Sequence, residues 1–349
     1  MDPFLRWILR RLLGLGRLFA QGGTHYHQVL NGFIGSRAMM TGVGLGLFDA
    51  LRAGPRSQQS LIADLGLDVD GGRVLLDTCV AHNLIRRKRG VCTLHRGFRK
   101  WLDGDGVPED ILHGALTYDD TSQLDRCAQG DWPMDGRVRR FWGGNYADLS
   151  PEEAQTYTDF MQRTVSRSAG WVIKAYPFAE LGSVLDVGGG SGTLALALSA
   201  ACPKLSVGIL DLAHAEPAAR ARIDQAGAGD RVRFIPGDFL QKPLPEGFDA
   251  MLLHRVLWDW DDERAAILLR RIHAALPVGG RLLIAEGMRT GDEDVDLVLG
   301  PFDLYMCLGG FRLRTRGQVV ALVEAAGFVD IGVRMAQPVF MPIVVARKP

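Results

Sequence analysis

Residues 253–263 read L-H-R-V-L-W-D-W-D-D-E. They follow the apolar run Ala250-Met251-Leu252-Leu253 and precede a strongly helical segment. That order predicts the carboxyl end of a strand, where α/β enzymes keep their chemistry. A titratable side chain is expected at the centre of such a segment. Trp258 stands there instead, and an indole takes no proton. The carboxylates that could substitute are Asp259, next in the chain, and Glu286, which ends a later apolar run.

A second stretch, L-D-V-G-G-G-S-G-T at 185–193, ends another apolar run in glycines. Glycines let a backbone turn tightly and approach a ligand closely. The helix expected from Thr193 offers free N–H groups there. As a dinucleotide fingerprint the run fails, because Thr193 stands where G-x-G-x-x-G needs its third glycine. Two acids follow at strand ends. Asp211 closes Val207-Gly208-Ile209-Leu210, where a carboxylate can accept from a ribose diol. In Gly237-Asp238-Phe239, Asp238 can accept from an adenine amino group and Phe239 can cover the ring. A ribose acid and an adenine acid without a pyrophosphate fingerprint fit S-adenosylmethionine better than a dinucleotide.

These residues need a scaffold, and the second half of the chain supplies one. Short apolar runs at 184–187, 205–210, 232–235, 250–253 and 281–285 alternate with helical segments at 194–201, 215–226, 263–276 and 318–326. This predicts a mostly parallel sheet covered on both faces. Residues 339–346 are expected to form a late hairpin pair. The first half reads differently. A helix is expected over 28–53, then a short helix at 61–65 capped by Ser57 and another through 74–81. Strand, turn and strand follow at 84–94, the pattern of a winged helix. Arg86–Arg89 on the wing admit a DNA-binding reading, but Lys+Arg and Asp+Glu balance at 40 each, so no basic footprint supports it. Residues 108–180 read as mainly helical and rich in aromatic side chains.

Apolar residues make up 47% of the 349 residues, enough for a large core. The five cysteines are scattered, no metal-ligand cluster stands out, and His25 and His27 lack further ligands, so a reduced, cytoplasmic protein without a metal is expected. At the N-terminus Phe4, Leu5, Ile8, Leu9, Leu12, Leu15 and Phe19 recur at helical spacing, with Arg6, Arg10 and Arg17 on another side. The arginines are too frequent for a membrane span or a signal peptide. Such a helix can lie on an anionic membrane surface or pack against protein, and both readings stand.

Across nearly its whole length the sequence resembles the class I S-adenosylmethionine-dependent O-methyltransferases, specifically the family of caffeate and acetylserotonin O-methyltransferases. The matching motifs are L-D-V-G-G-G-S-G (185–192), I-L-D-L (209–212), G-D-F (237–239), D-W-D-D-E (259–263), A-L-P-V-G-G-R-L-L-I-A-E (275–286) and A-G-F (326–328). The resemblance implies a winged-helix dimerisation domain over 1–107 and a Rossmann-like α/β methyltransferase domain over 108–349. Residues 108–180 would be its helical substrate-pocket segment. It implies that Gly188, Gly190, Asp211, Asp238 and Phe239 contact the cofactor, with Asp186 and Leu212 of the same motifs beside them. His254 stands where a lysine often reaches it.

The family's usual L-H-D-W-x-D-E carries a histidine base where this chain has Trp258. One supporting glutamate is kept as Glu286; the other would fall near Leu313 and is absent. Arg255-Val256-Leu257-Trp258 is similar to the branch with hydroxyneurosporene O-methyltransferase and the bacteriochlorophyllide C-methyltransferase. Phe302, Tyr305 and Met306 share a helical face, and with Phe141, Trp142, Tyr146 and Met161 they are expected to form an apolar acceptor pocket. The resulting expectation is methyl transfer to a hydroxyl of an apolar metabolite by a homodimer that does not bind nucleic acid. Non-methylating use of the same fold and a DNA-binding regulator are the alternatives.

Overall fold

Alternate residues of the central strands enter two separate cores, which is why these strands are apolar throughout. In the computed structural model, which describes residues 29–103, 108–132, 135–142, 150–335 and 341–349, Val184, Val207, Ile209, Leu252 and Leu283 face one core with Leu194 and Leu198. Leu185, Val187, Met251, Leu253 and Ile284 face the other with Leu268, Leu269 and Ile272. A strand buried on both sides must be apolar at both parities.

The strands are β4 (Ser183–Val187), β5 (Ser206–Asp211), β6 (Val232–Pro236), β7 (Ala250–His254), β8 (Arg281–Ala285), β9 (Val329–Arg334) and β10 (Ile343–Arg347). They form one sheet in the order β6-β5-β4-β7-β8-β10-β9. Neighbours from β6 to β8 are parallel, and β10 runs antiparallel to both β8 and β9. The chain order reverses around β4, so a crevice opens at the carboxyl ends of β4, β5 and β7. The glycine turn and the Trp258 segment both lie at those ends. The late hairpin differs from expectation. Its first strand is β9, which precedes residues 336–340, and β10 alone falls within the stretch read as a pair.

Helices Thr193–Ala201 and Glu216–Gln225 contribute to the first core, Asp262–Ala275 and Arg316–Ala325 to the second. Thr315 caps the last of these in a capping box with Gln318. Among the described residues, no helix is long and apolar enough to cross a membrane.

The chain divides into two compact units: one runs to Asp120 and includes residues up to Phe160 of the helix Pro151–Ala175, and the other holds the sheet. In the first, β1 (Arg56–Ser57), β2 (Ile85–Lys88) and β3 (Val91–Leu94) form a small sheet in the order β1-β3-β2. The turn between β2 and β3 has Arg89 at φ 51° and Gly90 at φ 77°, the positive angles a two-residue hairpin needs. Of the wing's basic residues, Arg87 is tied to Gln58 at 2.8 Å. Ser57 caps Gln58–Asp64 as expected, accepting the Ser60 N–H at 3.0 Å. The single helix expected over 28–53 is broken: Gly32–Gly44 and Leu47–Arg52 are separated at Gly46, whose φ of +71° no helix tolerates. Leu30 and Phe33 are 68% and 59% exposed, so this end carries uncovered apolar surface. The amphipathic run Phe4–Phe19, His25, His27 and Tyr146 lie outside the described residues.

Candidate active site

After β4 the chain turns through Gly188 (φ +77°) and Gly190 (φ +55°) into the helix Thr193–Ala201. A side chain at 188 would strike Val256, its Cβ falling 2.7 Å from Cγ2. At Gly190 nothing lies within 4 Å of that position, which leaves the turn open on the ligand side. Asp211, at the end of β5, accepts the N–H of Gly190 at 2.7 Å through one oxygen and that of Leu212 at 2.7 Å through the other. The carboxylate thus braces the turn while keeping lone pairs for a diol. Burial raises its pKa, and the two backbone N–H groups oppose that shift.

Asp186 is buried beneath the same turn. Its carboxyl is pushed up to about 7, first by burial and then by the charge of Asp211. Asp238 accepts the N–H of Leu240 at 2.9 Å and of Gln241 at 3.2 Å, an Asx-type turn that fixes its loop. The Phe239 ring lies beside Gly188 and meets Trp260 edge-on at 5.9 Å. An open glycine turn, an acid at the end of β5 and an aromatic face next to them fit an adenosyl group.

His254 ends β7 and is buried. Its Nε2 lies 3.0 Å from Ser168 Oγ. The carbonyls of Val165 and Thr164 also lie within reach of the Ser168 hydroxyl, at 3.1 and 3.3 Å; when its one proton goes to either of them, Nε2–H of His254 is the donor to Ser168. Burial, then the charge of Arg255, pushes the imidazole down to about 3, so it is neutral at physiological pH. A neutral ring hydrogen-bonded to Ser168 differs from the cation a lysine would offer here.

Arg255 sits at φ +60°, an unusual angle for a side-chain-bearing residue at a strand end. Its guanidinium donates to Thr164 Oγ1 at 2.8 Å, approaches Met161 Sδ at 3.8 Å and lies 5.8 Å from the Trp258 ring. The one-turn 3-10 helix Leu257–Asp259 follows. Trp258 is 3% exposed. Its backbone N–H donates to Glu286 Oε2 at 3.1 Å, and its ring lies 5.7 Å from Phe302. Glu286 is 1% exposed, and burial pushes it up to about 7 against the backbone donors of the turn and the charge of Arg314. Asp259 is raised well above its usual range, first by burial and then by Glu286. No described group hydrogen-bonds its Oδ1. Asp259 does not cap the following helix; Asp261 does, accepting the Arg264 N–H at 2.8 Å.

The helix Glu293–Cys307 carries Phe302, Tyr305 and Met306, with Met306 buried and the other two half-buried. Phe302 thus reaches Trp258. Met161 reaches Arg255. Phe141 and Trp142 close the helix Arg137–Trp142, and their side chains lie outside the described residues. A cleft of about 320 Å³ opens beside the turn, lined by Trp132, Trp258, Trp260, Phe311, Arg312 and Arg314 among others. Sequence reasoning found only Trp258 of these six as a site residue. It also missed Arg222, whose guanidinium donates to Ser191 Oγ at 2.9 Å and Thr193 Oγ1 at 2.6 Å, bracing the glycine turn from the helix Glu216–Gln225. No local pattern marks a brace that is 31 residues from its partner.

Comparison with known proteins adds the following. An O-methyltransferase domain matches residues 138–329, and an O-methyltransferase dimerisation domain matches 27–100. Demethylspheroidene O-methyltransferase of Cereibacter sphaeroides is 29% identical over 94% of this chain and 85% of its own. Aclacinomycin 10-hydroxylase of Streptomyces purpurascens is 34% identical over 70% of this chain and 64% of its own. The O-methyltransferase of neocarzinostatin biosynthesis, solved with S-adenosylmethionine and 2-hydroxy-5-methyl naphthoic acid, superposes with a TM-score of 0.76 at 28% identity, covering 90% of this chain and 96% of that one.

Proposed function

Because the chain belongs to the S-adenosylmethionine-dependent O-methyltransferase family of secondary metabolism, we propose that it methylates a hydroxyl of an apolar acceptor, polyene or polycyclic, chiefly by positioning and desolvating it. The observation that carries this reading is the buried indole of Trp258 where the family's base stands. Relatives named for demethylspheroidene and aclacinomycin, and a fold neighbour holding a naphthoic acid, support an apolar acceptor.

Bound S-adenosylmethionine supplies a methyl group made electrophilic by its sulfonium. Gly188, Gly190, Asp211, Asp238 and Phe239 are the residues that would hold it, with Asp186, Leu212 and His254 beside them. Trp258, Phe302 and Met306 exclude water from the acceptor hydroxyl, and Tyr305 and Met161 extend the apolar wall. Holding the reacting atoms in line is worth ~7–11 kcal/mol. A positioned base adds ~10²–10⁴-fold, or about 3–5 kcal/mol. Positioning is the larger contribution, so the site tolerates the loss of the histidine. Glu286, through lone pairs the turn does not use, is the proposed acceptor of the hydroxyl proton, with Asp259 next to it.

The protein is further proposed to be a cytoplasmic homodimer, its dimerisation half ending near residue 107 and its catalytic half continuing to 349. The basic amphipathic N-terminus is proposed to touch anionic membrane surfaces, which co-sedimentation with phosphatidylserine vesicles tests. For the reaction itself, incubation with S-adenosylmethionine and hydroxylated polyenes or polycycles should release S-adenosylhomocysteine and a methyl ether in equal amounts. Cofactor binding without any S-adenosylhomocysteine would favour non-methylating use of the fold and sink the reading.

A further inference from the structure

Arg314 is 6% exposed, unusual for an arginine, and its whole fork is engaged. Nη1 donates to the carbonyl of Leu257 at 2.9 Å, Nη2 to the carbonyl of Trp260 at 2.6 Å, and Nε to Asp262 Oδ1 at 2.9 Å. All three acceptors belong to one short stretch: the turn that carries Trp258 and Asp259, and the first residue of the helix behind it. In the same turn, Glu286 accepts the backbone N–H of Trp258 at 3.1 Å. The turn is therefore held by a cation at its carbonyls and by a carboxyl oxygen at an amide. Leu313, adjacent to Arg314, is itself pinned by its N–H to Asp303 Oδ1 at 3.0 Å, and its side chain comes within 3.8 Å of where a Cβ on Gly287 would stand, beside Trp258.

We propose that Arg314 is a positioning residue of the acceptor site, acting through the Leu257–Trp260 turn to fix Trp258 and Asp259 against the substrate. This rests on the methyl-transfer reading above. The chemistry selects arginine. Two carbonyls and a carboxylate must be met at once, and only the planar guanidinium presents donors in a rigid fork. A lysine would bring the same charge as a single compact ammonium and leave part of the turn unheld. An in-line methyl transfer is sensitive to such slack, since sub-ångström displacement of an acceptor erodes near-attack geometry. All three guanidinium nitrogens of Arg314 are engaged by the Leu257–Asp262 stretch. Its effect is transmitted by the two aromatic residues whose carbonyl groups, or whose neighbours' carbonyl groups, it grips.

The test uses the full-length protein with Arg314→Lys, and Arg314→Ala with and without added guanidinium. S-adenosylmethionine binding is read by calorimetry, methyl transfer by single turnover, and the turn by tryptophan emission. Arg314→Lys should keep the cofactor stoichiometry and affinity of the parent while single-turnover rate falls about 10–100-fold, the scale of a misplaced acceptor. Guanidinium should restore part of the rate in Arg314→Ala, and ammonium at equal concentration should not. An Arg314→Lys protein with parental rate overturns the proposal. So does a rate loss matched by an equal loss of cofactor-binding stoichiometry, because that is unfolding. If the parent itself releases no S-adenosylhomocysteine, the methyl-transfer reading has failed. Tryptophan emission then decides the clamp alone: a shifted spectrum in Arg314→Lys, reversed toward the parent by guanidinium in Arg314→Ala, supports it, and an unchanged one overturns it.

Discussion

The indole of Trp258 occupies the space that a side chain at residue 287 would need: a Cβ on Gly287 would lie 2.9 Å from Trp258 Cζ3. Beyond the indole itself, Leu313 Cδ2 lies 3.8 Å from the same point. Tryptophan, glycine and leucine therefore form one packing unit at the positions where the resemblance implies a histidine and its second supporting glutamate. The histidine's absence is not an isolated change, because the space and the polarity around it have changed with it.

Trp258→His alone should therefore fail to restore base catalysis. Its imidazole would face Leu313 with Glu286 but without the second supporting carboxylate, and the smaller ring would leave a void. A loss of about 2–4 kcal/mol in unfolding free energy is expected, toward the lower end of large-to-small core changes. Cofactor affinity should stay intact, since Trp258 is not in the glycine turn. Trp258→His combined with Leu313→Glu should exceed the single variant in turnover by about 10²-fold, a modest base contribution. Denaturant unfolding, calorimetry and initial rates measure the three effects.

Glu286 should impose a pH dependence. Its carboxyl is raised from 4.5 to about 7 by burial. If its ionised form takes the acceptor proton, turnover rises with pH through about 7, and Glu286→Gln flattens that rise. Stability moves the other way. The folded protein keeps this proton up to about 7 while the unfolded chain loses it near 4.5, so the contribution is full below 4.5 and is lost as pH rises through 7. Asp186, raised from 3.8 to about 7, titrates with the same sign, so a residual slope remains in Glu286→Gln. Chemical denaturation between pH 4 and 8, at roughly unit spacing, resolves both slopes.

Arg222→Ala should weaken S-adenosylmethionine binding by about tenfold, the scale of one or two charged hydrogen bonds that pre-order a ligand loop. The guanidinium braces Ser191 and Thr193 and is far in sequence from the acceptor turn. Turnover at saturating cofactor should therefore change little. Isothermal titration with S-adenosylmethionine checks the first statement, and rates at high cofactor check the second.

Phe33→Lys should convert a homodimer to monomer without unfolding the chain. Phe33 is 59% exposed on the helix Gly32–Gly44, within the matched dimerisation domain. Burying a charge in an apolar interface costs more than one kcal/mol per site unless it is paired. Light scattering after size exclusion gives the mass, and circular dichroism shows whether the fold persists.

Much of this protein is written locally. The apolar runs that became β4 to β8, the Ser57 cap, the glycine turn and the acids at 211 and 238 were all legible, because period, turn chemistry and strand-end position are properties of neighbouring residues. The reading went astray where a single backbone angle decided, as at Gly46, which splits one expected helix in two. It also went astray in placing the late hairpin. β10 pairs with the preceding strand β9, which ends at Arg334, and with β8, rather than with a strand inside 339–346. Arg222 on the glycine turn, Ser168 on His254 and Arg314 on the Trp258 turn left no local mark. Their partners lie 31, 86 and 57 residues away. The sequence by itself determined which groups stand around the glycine turn, since each is tied to its own strand end. Only the tertiary structure decided what holds the acceptor turn in place, because a carbonyl's partner is chosen by which chains the fold brings together in space.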